Sequence, residues 1–306
     1  MLRYDDLQVF VHTSDSGSLS AAARQLEISP AVASAALKRL ESELEVRLFA
    51  RSTRSLRLTP EGDAFLLHAR ASLRSLEEGR RLLQGGKDQI AGVLQLSAPS
   101  DFGRNLLLPW LDEFQARYPQ LSLRLLLGDW VTDLYRQPVD VAIRYGAPAA
   151  SSLVALPLAP DNRRVRCAAP GYLAERGAPR QPDDLREHNC LLYQLGGRVH
   201  DRWAFQRGRR SLRLTVAGDR VCDDADVVRR WALAGKGLVY KSWLDVAEDV
   251  RAGRLRLLLP DWQGEATPMN LLCTHRAQLT RPVTLLRAFV RERCDALLAE
   301  APWTRN

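Results

Sequence analysis

The feature that most constrains this chain is the pair Ser29-Pro30 followed by an unbroken amphipathic stretch. A serine hydroxyl caps free backbone N–H groups, and a proline at the first helical position costs nothing because its missing N–H would be unpaired there anyway. A helix is therefore predicted to begin at Pro30, with Ala33, Leu37, Leu40 and Leu44 as an apolar stripe and Ala31, Ser34, Ala35 and Lys38 on another face. Upstream, Leu7, Phe10 and Val11 recur at i, i+3, i+4 and predict a first helix ending at Ser14-Asp15-Ser16-Gly17. Ser18 is placed to cap a short alanine-rich second helix, whose small side chains admit a close neighbour before Glu27-Ile28 turns the chain. This is the pattern of a helix-turn-helix. Small residues on the third helix let it sit deep in a major groove, with Ala31 and Ala35 against thymine methyls and Ser34 and Lys38 at base edges or phosphates; Ser29, Pro30 and Val32 open the same face. Taken alone, the face is better read as solvated, as on any amphipathic helix.

The next stretch tips the balance. Arg47 to Thr59 reads as two short strands around a tight turn with four arginines and no acid, the pattern of a wing. Arg51, Thr53, Arg54 and Arg57 are its candidate DNA contacts, supplying affinity through phosphates. The whole chain has a net charge of only +8, which allows a polyanionic partner without demanding one.

Residues 26–41, together with Val46-Arg47-Leu48-Phe49-Ala50-Arg51, Ser52-Thr53-Arg54 and Leu58-Thr59-Pro60-Glu61-Gly62, resemble the amino-terminal signature of LysR-type transcriptional regulators in order, spacing and identity. Two positions depart from that pattern. Glu45 stands where the family usually has a helix-closing glycine, and Ala35 where many members carry Arg or Gln. The resemblance implies a double-stranded DNA operator of palindromic form, a small-molecule effector, self-association as a dimer of dimers, and RNA polymerase as a partner where the output is activation.

Thr59-Pro60 repeats the cap-then-proline start, and no proline follows until after Gly85-Gly86. Leu66, Ala69, Leu73, Leu76 and Leu83 advance by threes and fours, interrupted by Arg80, which is the seam of a coiled-coil pair; packing within its own domain is the competing reading. The expected organisation is a winged helix-turn-helix over 1–60, a linker and dimerisation helix over 61–86, and an effector-binding domain over 91–306.

In that last region strand, helix, strand, helix, strand alternate: Val93–Ser97, a helix opened by Ser100-Asp101, Leu121–Leu127, a helical piece, then Val139–Ile143. Further candidate strands are Leu191–Gln194, Leu212–Val216, Arg220–Cys222, Leu238–Tyr240 and Met269–Cys273. Helices follow Asp223-Asp224 and run from Pro282 to Leu298. The fold class is α/β behind a winged-helix head. The order resembles the effector domain of LysR-type regulators, which has a two-lobed periplasmic-binding-protein-like fold; lobe 1 is expected over about 91–162 and 267–306 and lobe 2 over about 163–266. Ligands in such sheets bind beyond the carboxyl ends of strands. Ser100, Asp101, Phe102, Asp129, Trp130, Arg144, Gln194, Trp203, Asp224 and Lys241 are the effector candidates, with helix capping the competing role for Asp101 and Asp224. Lys241 stands near where the family more often has a proline. If Arg144 and Lys241 both face the cleft, the effector is anionic.

The sequence has no GxSxG, HExxH or P-loop, and its five histidines and five cysteines are scattered, so neither an enzyme, a metal site nor a bound cofactor is expected. An effectorless architectural DNA-binding protein is the remaining alternative, with an enzyme on the two-lobed unit behind it. Acidic residues directly after Met1 and the lack of a long apolar run predict a soluble cytoplasmic protein with no membrane partner.

Overall fold

A computed structural model of the chain describes residues 1–51, 56–83, 90–129, 139–146 and 153–303. Two compact units result, one within Met1–Gln89 and one beginning at Ile90.

In the first unit, helices α1 (Tyr4–Ser16), α2 (Leu19–Gln25) and α3 (Pro30–Leu44) precede a hairpin of β1 (Phe49–Arg51) and β2 (Leu56–Leu58), and α4 (Pro60–Leu83) follows. The starts of α2, α3 and α4 are made as their sequence dictates. Ser18 Oγ accepts the Ala21 N–H at 3.4 Å, Ser29 Oγ accepts Val32 N–H at 3.2 Å, and Thr59 Oγ1 accepts Gly62 N–H at 2.9 Å. Ala23, Ala33 and Ala36 are buried against Val9, so the turn between α2 and α3 is closed by small side chains. Phe10, Leu37, Leu40, Leu48 and Phe49 form the main core of the head.

Two buried carboxylates fix the rest. Asp6 takes two bonds from the Arg39 guanidinium, at 2.6 and 3.2 Å. Glu41, on α3, accepts the Leu48 and Phe49 N–H groups at 2.9 and 3.3 Å and pairs with Arg47 at 3.0 Å, pinning the hairpin to the helix. Gly62 is required where α4 begins, because a Cβ there would lie 2.1 Å from the Leu48 carbonyl oxygen.

In the second unit, lobe 1 holds β3 (Gly92–Ala98), α5 (Ser100–Phe102) running through a π-turn at Gly103–Leu107 into α6 (Leu108–Arg117), β4 (Leu121–Leu127), β5 (Val141–Tyr145) and β6 (Val154–Ala159). The chain then enters lobe 2 through β7 (Arg164–Ala168), α7 (Pro170–Arg176), β8 (Cys190–Leu195), β9 (Arg198–Val199), the hairpin β10 (Arg202–Arg207) and β11 (Arg210–Thr215), and β12 (Val221–Cys222). It continues through α8 (Ala225–Leu233), β13 (Leu238–Ser242), α9 (Trp243–Arg251) and β14 (Arg256–Leu258). Finally β15 (Met269–Cys273) and α10 (Arg281–Leu298) return to lobe 1. The lobe 1 sheet has the order β4-β3-β5-β15-β6 and the lobe 2 sheet β12-β8-β13-β7-β14, so the chain crosses between sheets twice.

The two crossings are bonded to each other. Arg164 N–H donates to Glu265 O and Thr267 N–H to Asn162 O, while the buried Asn162 amide donates to Ser242 Oγ at 2.9 Å and Thr267 O at 2.8 Å. One apolar core runs through both lobes, from Leu96, Leu107 and Phe114 to Val228, Val239 and Leu244.

Glu45 closes α3 in the left-handed region, at φ +56° and ψ +22°, which is the cap the absent glycine would have made easily. Replacing Glu45 with Gly is expected to raise head stability by up to about 1 kcal/mol, read as a higher thermal midpoint; a midpoint that stays put or falls would contradict the strain assigned to this residue.

Candidate functional site

The α3 surface splits as its periodicity requires. Ala33, Ala36, Leu37 and Leu40 are buried, whereas Ser29, Pro30, Ala31, Val32, Ala35 and Lys38 are exposed and Ser34 is half-buried. Val32 leaves 51% of its surface in solvent, a large exposure for an apolar side chain. Arg57 is exposed on β2; Thr53 and Arg54 lie outside the described residues, as does the Arg51 side chain.

The α4 seam divides in two. Leu66 and Ala69 are buried in the core of their own head, at 8% and 1% exposure, and Leu73 packs partly against the same cluster. Leu66 and Ala69 are therefore not dimerisation residues, because the near half of the helix is needed to cover Phe10 and Leu37. Leu76 is 59% exposed, and the Leu83 side chain lies outside what is described.

In the second unit, the sequence candidates separate into four environments. Ser100, Asp129 and Asp224 meet where the lobes face each other. The Asp129 carboxylate accepts the Ser100 N–H at 2.9 Å and the Ser100 hydroxyl from lobe 1, and the Ala225 N–H at 2.7 Å from lobe 2. Asp224 caps α8 by accepting Asp226 and Val227 N–H and pairs with Arg104 of lobe 1 at 2.8 Å. Gln194 faces the same place, beside Gly196, Gly197 and Asp223. Trp130 lies outside the described residues.

Asp101 and Lys241 form the second environment. Asp101 does not cap its helix. It is 1% exposed and lies 2.5 Å from the Lys241 ammonium, itself 2% exposed, which also reaches Asp245 at 3.2 Å and donates to Ala225 O. Tyr145 donates to the Asp245 carboxylate at 2.6 Å, Asn105 to Asp101 at 2.8 Å and Asp226 at 2.9 Å, and Arg229 pairs with Asp249 at 2.6 Å. Burial favours loss of the Lys241 proton, but Asp101 and Asp245 outweigh it and hold the ammonium charged with a raised pKa. Burial, resisted by Lys241, pushes the Asp101 carboxyl up to about 7. Lys241 is thus a structural cation joining lobe 2 to lobe 1, and its charge is already spent on two carboxylates. The expectation that it receives an anionic effector is overturned.

Phe102 and Trp203 are core residues rather than cleft residues. Phe102 is fully buried and set edge-on against Trp110 and Tyr145. Trp203 is 1% exposed, stacked on Tyr240 under the β10–β11 hairpin, with its N–H on His200 O. Their large apolar bodies are what each lobe needs to close.

Arg144 is the fourth case. It sits at the carboxyl end of β5, mostly buried, donating to Ser97 Oγ at 2.6 Å and Ile143 O at 2.7 Å, and no described carboxylate lies within ion-pair distance. Burial lowers its pKa, opposed by the charge of Asp129.

Residues 4–63 match the family model for the bacterial regulatory helix-turn-helix protein, lysR family, and residues 87–295 match the LysR substrate binding domain. The chain belongs to the LysR family of transcriptional regulators. It is 31% identical over 275 residues to the HTH-type transcriptional regulator DmlR of Escherichia coli (strain K12), covering 90% of this chain and 88% of DmlR. It is 32% identical over 286 residues to the HTH-type transcriptional activator AaeR of the same strain, covering 94% and 92%. The solved structure of CrgA, a LysR-type transcriptional regulator from Neisseria meningitidis, superposes with a TM-score of 0.59 at 29% identity over 95% of this chain and 99% of CrgA. This LysR-family regulator is a ligand-responsive DNA-binding protein and not an enzyme. No helix among its described residues is long and apolar enough to cross a membrane.

Sequence reasoning passed over Asp245, Asp249 and Arg229 of the regulator's charge cluster. The signal was present: Asp245 and Asp249 sit in Trp243–Val250 on the same face as buried apolar residues, and a carboxylate at a core position must find a cation. Also missed was Glu265, which receives His200 at 3.0 Å and Arg164 at 2.8 Å beside the second crossing. Burial raises its pKa, but His200 and Arg164 more than offset this and hold the carboxyl below its ordinary value. A lowered carboxylate pKa stabilises the fold above the unfolded value near 4.5 and is lost as pH falls below it. The thermal midpoint is therefore expected to fall on acidification below that value, and less steeply in Glu265→Gln; equal slopes in the two proteins would remove Glu265 from this role.

Proposed function

We propose that the exposed face of α3, centred on Ala31, Val32, Ser34, Ala35 and Lys38, reads base edges in the major groove of a palindromic operator, while Arg57 and the rest of the wing grip phosphate. The observation that supports this is the division of α3 into a buried stripe and an exposed face of small residues with one lysine. Two heads are joined by pairing of the far half of α4 through Leu73 and Leu76, and two such dimers assemble as a tetramer in the cytoplasm, with RNA polymerase as the further partner where transcription is activated. Ser34→Ala is expected to relax base preference with modest loss of affinity, and Arg57→Ala to weaken binding on all sequences while lowering the salt dependence. Binding titrations on matched and mismatched duplexes check this, and equal losses on every sequence for both variants would contradict it.

The effector is a small molecule with one anionic group that pairs with Arg144. Lys241 is excluded as its receptor, so the anionic reading rests on one guanidinium that is mostly buried and lacks a described carboxylate. Thermal unfolding against a panel of small carboxylates, amino acids and aromatics tests it, because a ligand of the folded state raises the midpoint by mass action. A saturable shift by a carboxylate in the native chain, abolished in Arg144→Gln, is the expected result. A carboxylate shift that survives in Arg144→Gln, or no shift with any carboxylate, would contradict the assignment to Arg144.

A further inference from the structure

The β10–β11 hairpin of lobe 2 carries Arg202, Arg207, Arg209, Arg210 and Arg213 with no acidic residue from Arg202 to Val216. Its antiparallel register turns Trp203, Phe205 and Leu214 into the lobe core and leaves Arg202, Gln206, Ser211, Arg213 and Thr215 exposed on the outer face. Arg207 stands directly across from Arg210, with Arg209 exposed in the turn between them. Like charges directly opposite each other destabilise a strand pair, so the hairpin keeps an electrostatic cost at its tip. Arg210 lies over the Trp262 ring at 5.4 Å. Among the described residues, Arg202, Arg207, Arg209 and Arg213 have no carboxylate partner. Some arginines elsewhere in the lobe are paired, Arg164 with Glu265, Arg229 and Arg254 with Asp249, Arg230 with Asp226, whereas Arg163 and Arg166 bond backbone carbonyls.

We propose that the outer face of this hairpin is a second DNA-binding surface, carried by the effector-binding unit, and that its ligand is the phosphate backbone of duplex DNA. The run from Arg202 to Arg207 covers about 17 Å at about 3.4 Å per residue, and duplex DNA offers a negative charge about every 1.7 Å of its axis. The cations are all arginine, whose planar guanidinium forks onto phosphate oxygens, and Gln206, Ser211 and Thr215 are the neutral donors that bind phosphate beside them. An acidic protein partner fits less well, because protein interfaces are anchored by aromatic residues and here Trp203 and Phe205 point inward. Binding of this kind carries no sequence information; it adds affinity to whatever the head reads.

The test uses the full chain and a long duplex of arbitrary sequence, titrated over a salt series. In the triple variant Arg202→Gln, Arg209→Gln, Arg213→Gln, the slope of log K against log salt is expected to fall by about 0.9 for each phosphate that is no longer neutralised, up to about 2.7 for three. The matching triple lysine variant keeps the charge and is expected to keep most of the slope, and an unchanged thermal midpoint in both establishes folding. Arg210 is left in place because it packs on Trp262. A folded glutamine variant with wild-type affinity and slope overturns the proposal. So does a variant that keeps its DNA slope but no longer captures poly-glutamate, a result that would give the surface to an acidic protein. Base preference set by Ser34 is unaffected in either case, which separates this surface from the reading assigned to the head.

Discussion

The two lobes of the effector-binding unit are arranged around one buried ammonium group. Lys241, at the end of β13 in lobe 2, reaches Asp101 at the start of lobe 1 and Asp245 at the start of α9, with almost no solvent around any of the three. Removing two or three charges from water is expensive, and the arrangement persists only because the cluster is nearly complete: Tyr145 and Asn105 satisfy the carboxylates from lobe 1, and Arg229 and Asp249 balance the charge behind them. The hydrogen-bonded crossings at Asn162 and Thr267 lie beside the same residues, through Ser242. Asp129 adds a second tie between the lobes by accepting N–H groups from the starts of α5 and α8.

That arrangement bears on how a ligand could act. An effector shifts a conformational equilibrium only by the difference in its affinity for the two states. On the proposed reading it pairs with Arg144 in lobe 1, beside Asp129, and it changes the lobes by competing with or reinforcing the ties that Asp129 and Lys241 make. The affinity of the head for operator then changes by coupling between two sites, reciprocal in free energy. Chemistry on the ligand has no part in this.

Local signals carried most of the head into view from the sequence alone. The caps at Ser18, Ser29 and Thr59, the prolines at 30 and 60, and the apolar stripe of α3 all act within a few residues, and each is made as read. The left-handed cap at Glu45 was marked only by the resemblance, which has a helix-closing glycine at this position; the residue itself carries no such signal. The α4 seam misled for a physical reason: a row of apolar residues does not say whether its partner is another chain or its own domain, and Leu66 and Ala69 are consumed by the head. In the second unit the strands with strong alternation were visible, whereas α9, whose buried face carries Asp245 and Asp249, was not. The site suffered most. Lys241 was singled out as a departure and Asp101 as a candidate or a cap, but their partnership joins distant parts of the chain, and sequence periodicity has no access to it. Trp203 and Phe102, two of the effector candidates, are core residues.

The most direct measurement of the central claim is a double-mutant cycle on Asp101→Asn and Lys241→Met, read by equilibrium unfolding of the full chain. If the buried pair joins the lobes as described, the two single changes are strongly non-additive, with an interaction energy above about 2 kcal/mol, and the Lys241→Met protein is the less stable single variant because it strands two carboxylates. Additivity within about 0.5 kcal/mol would mean that the lobes are held by something else.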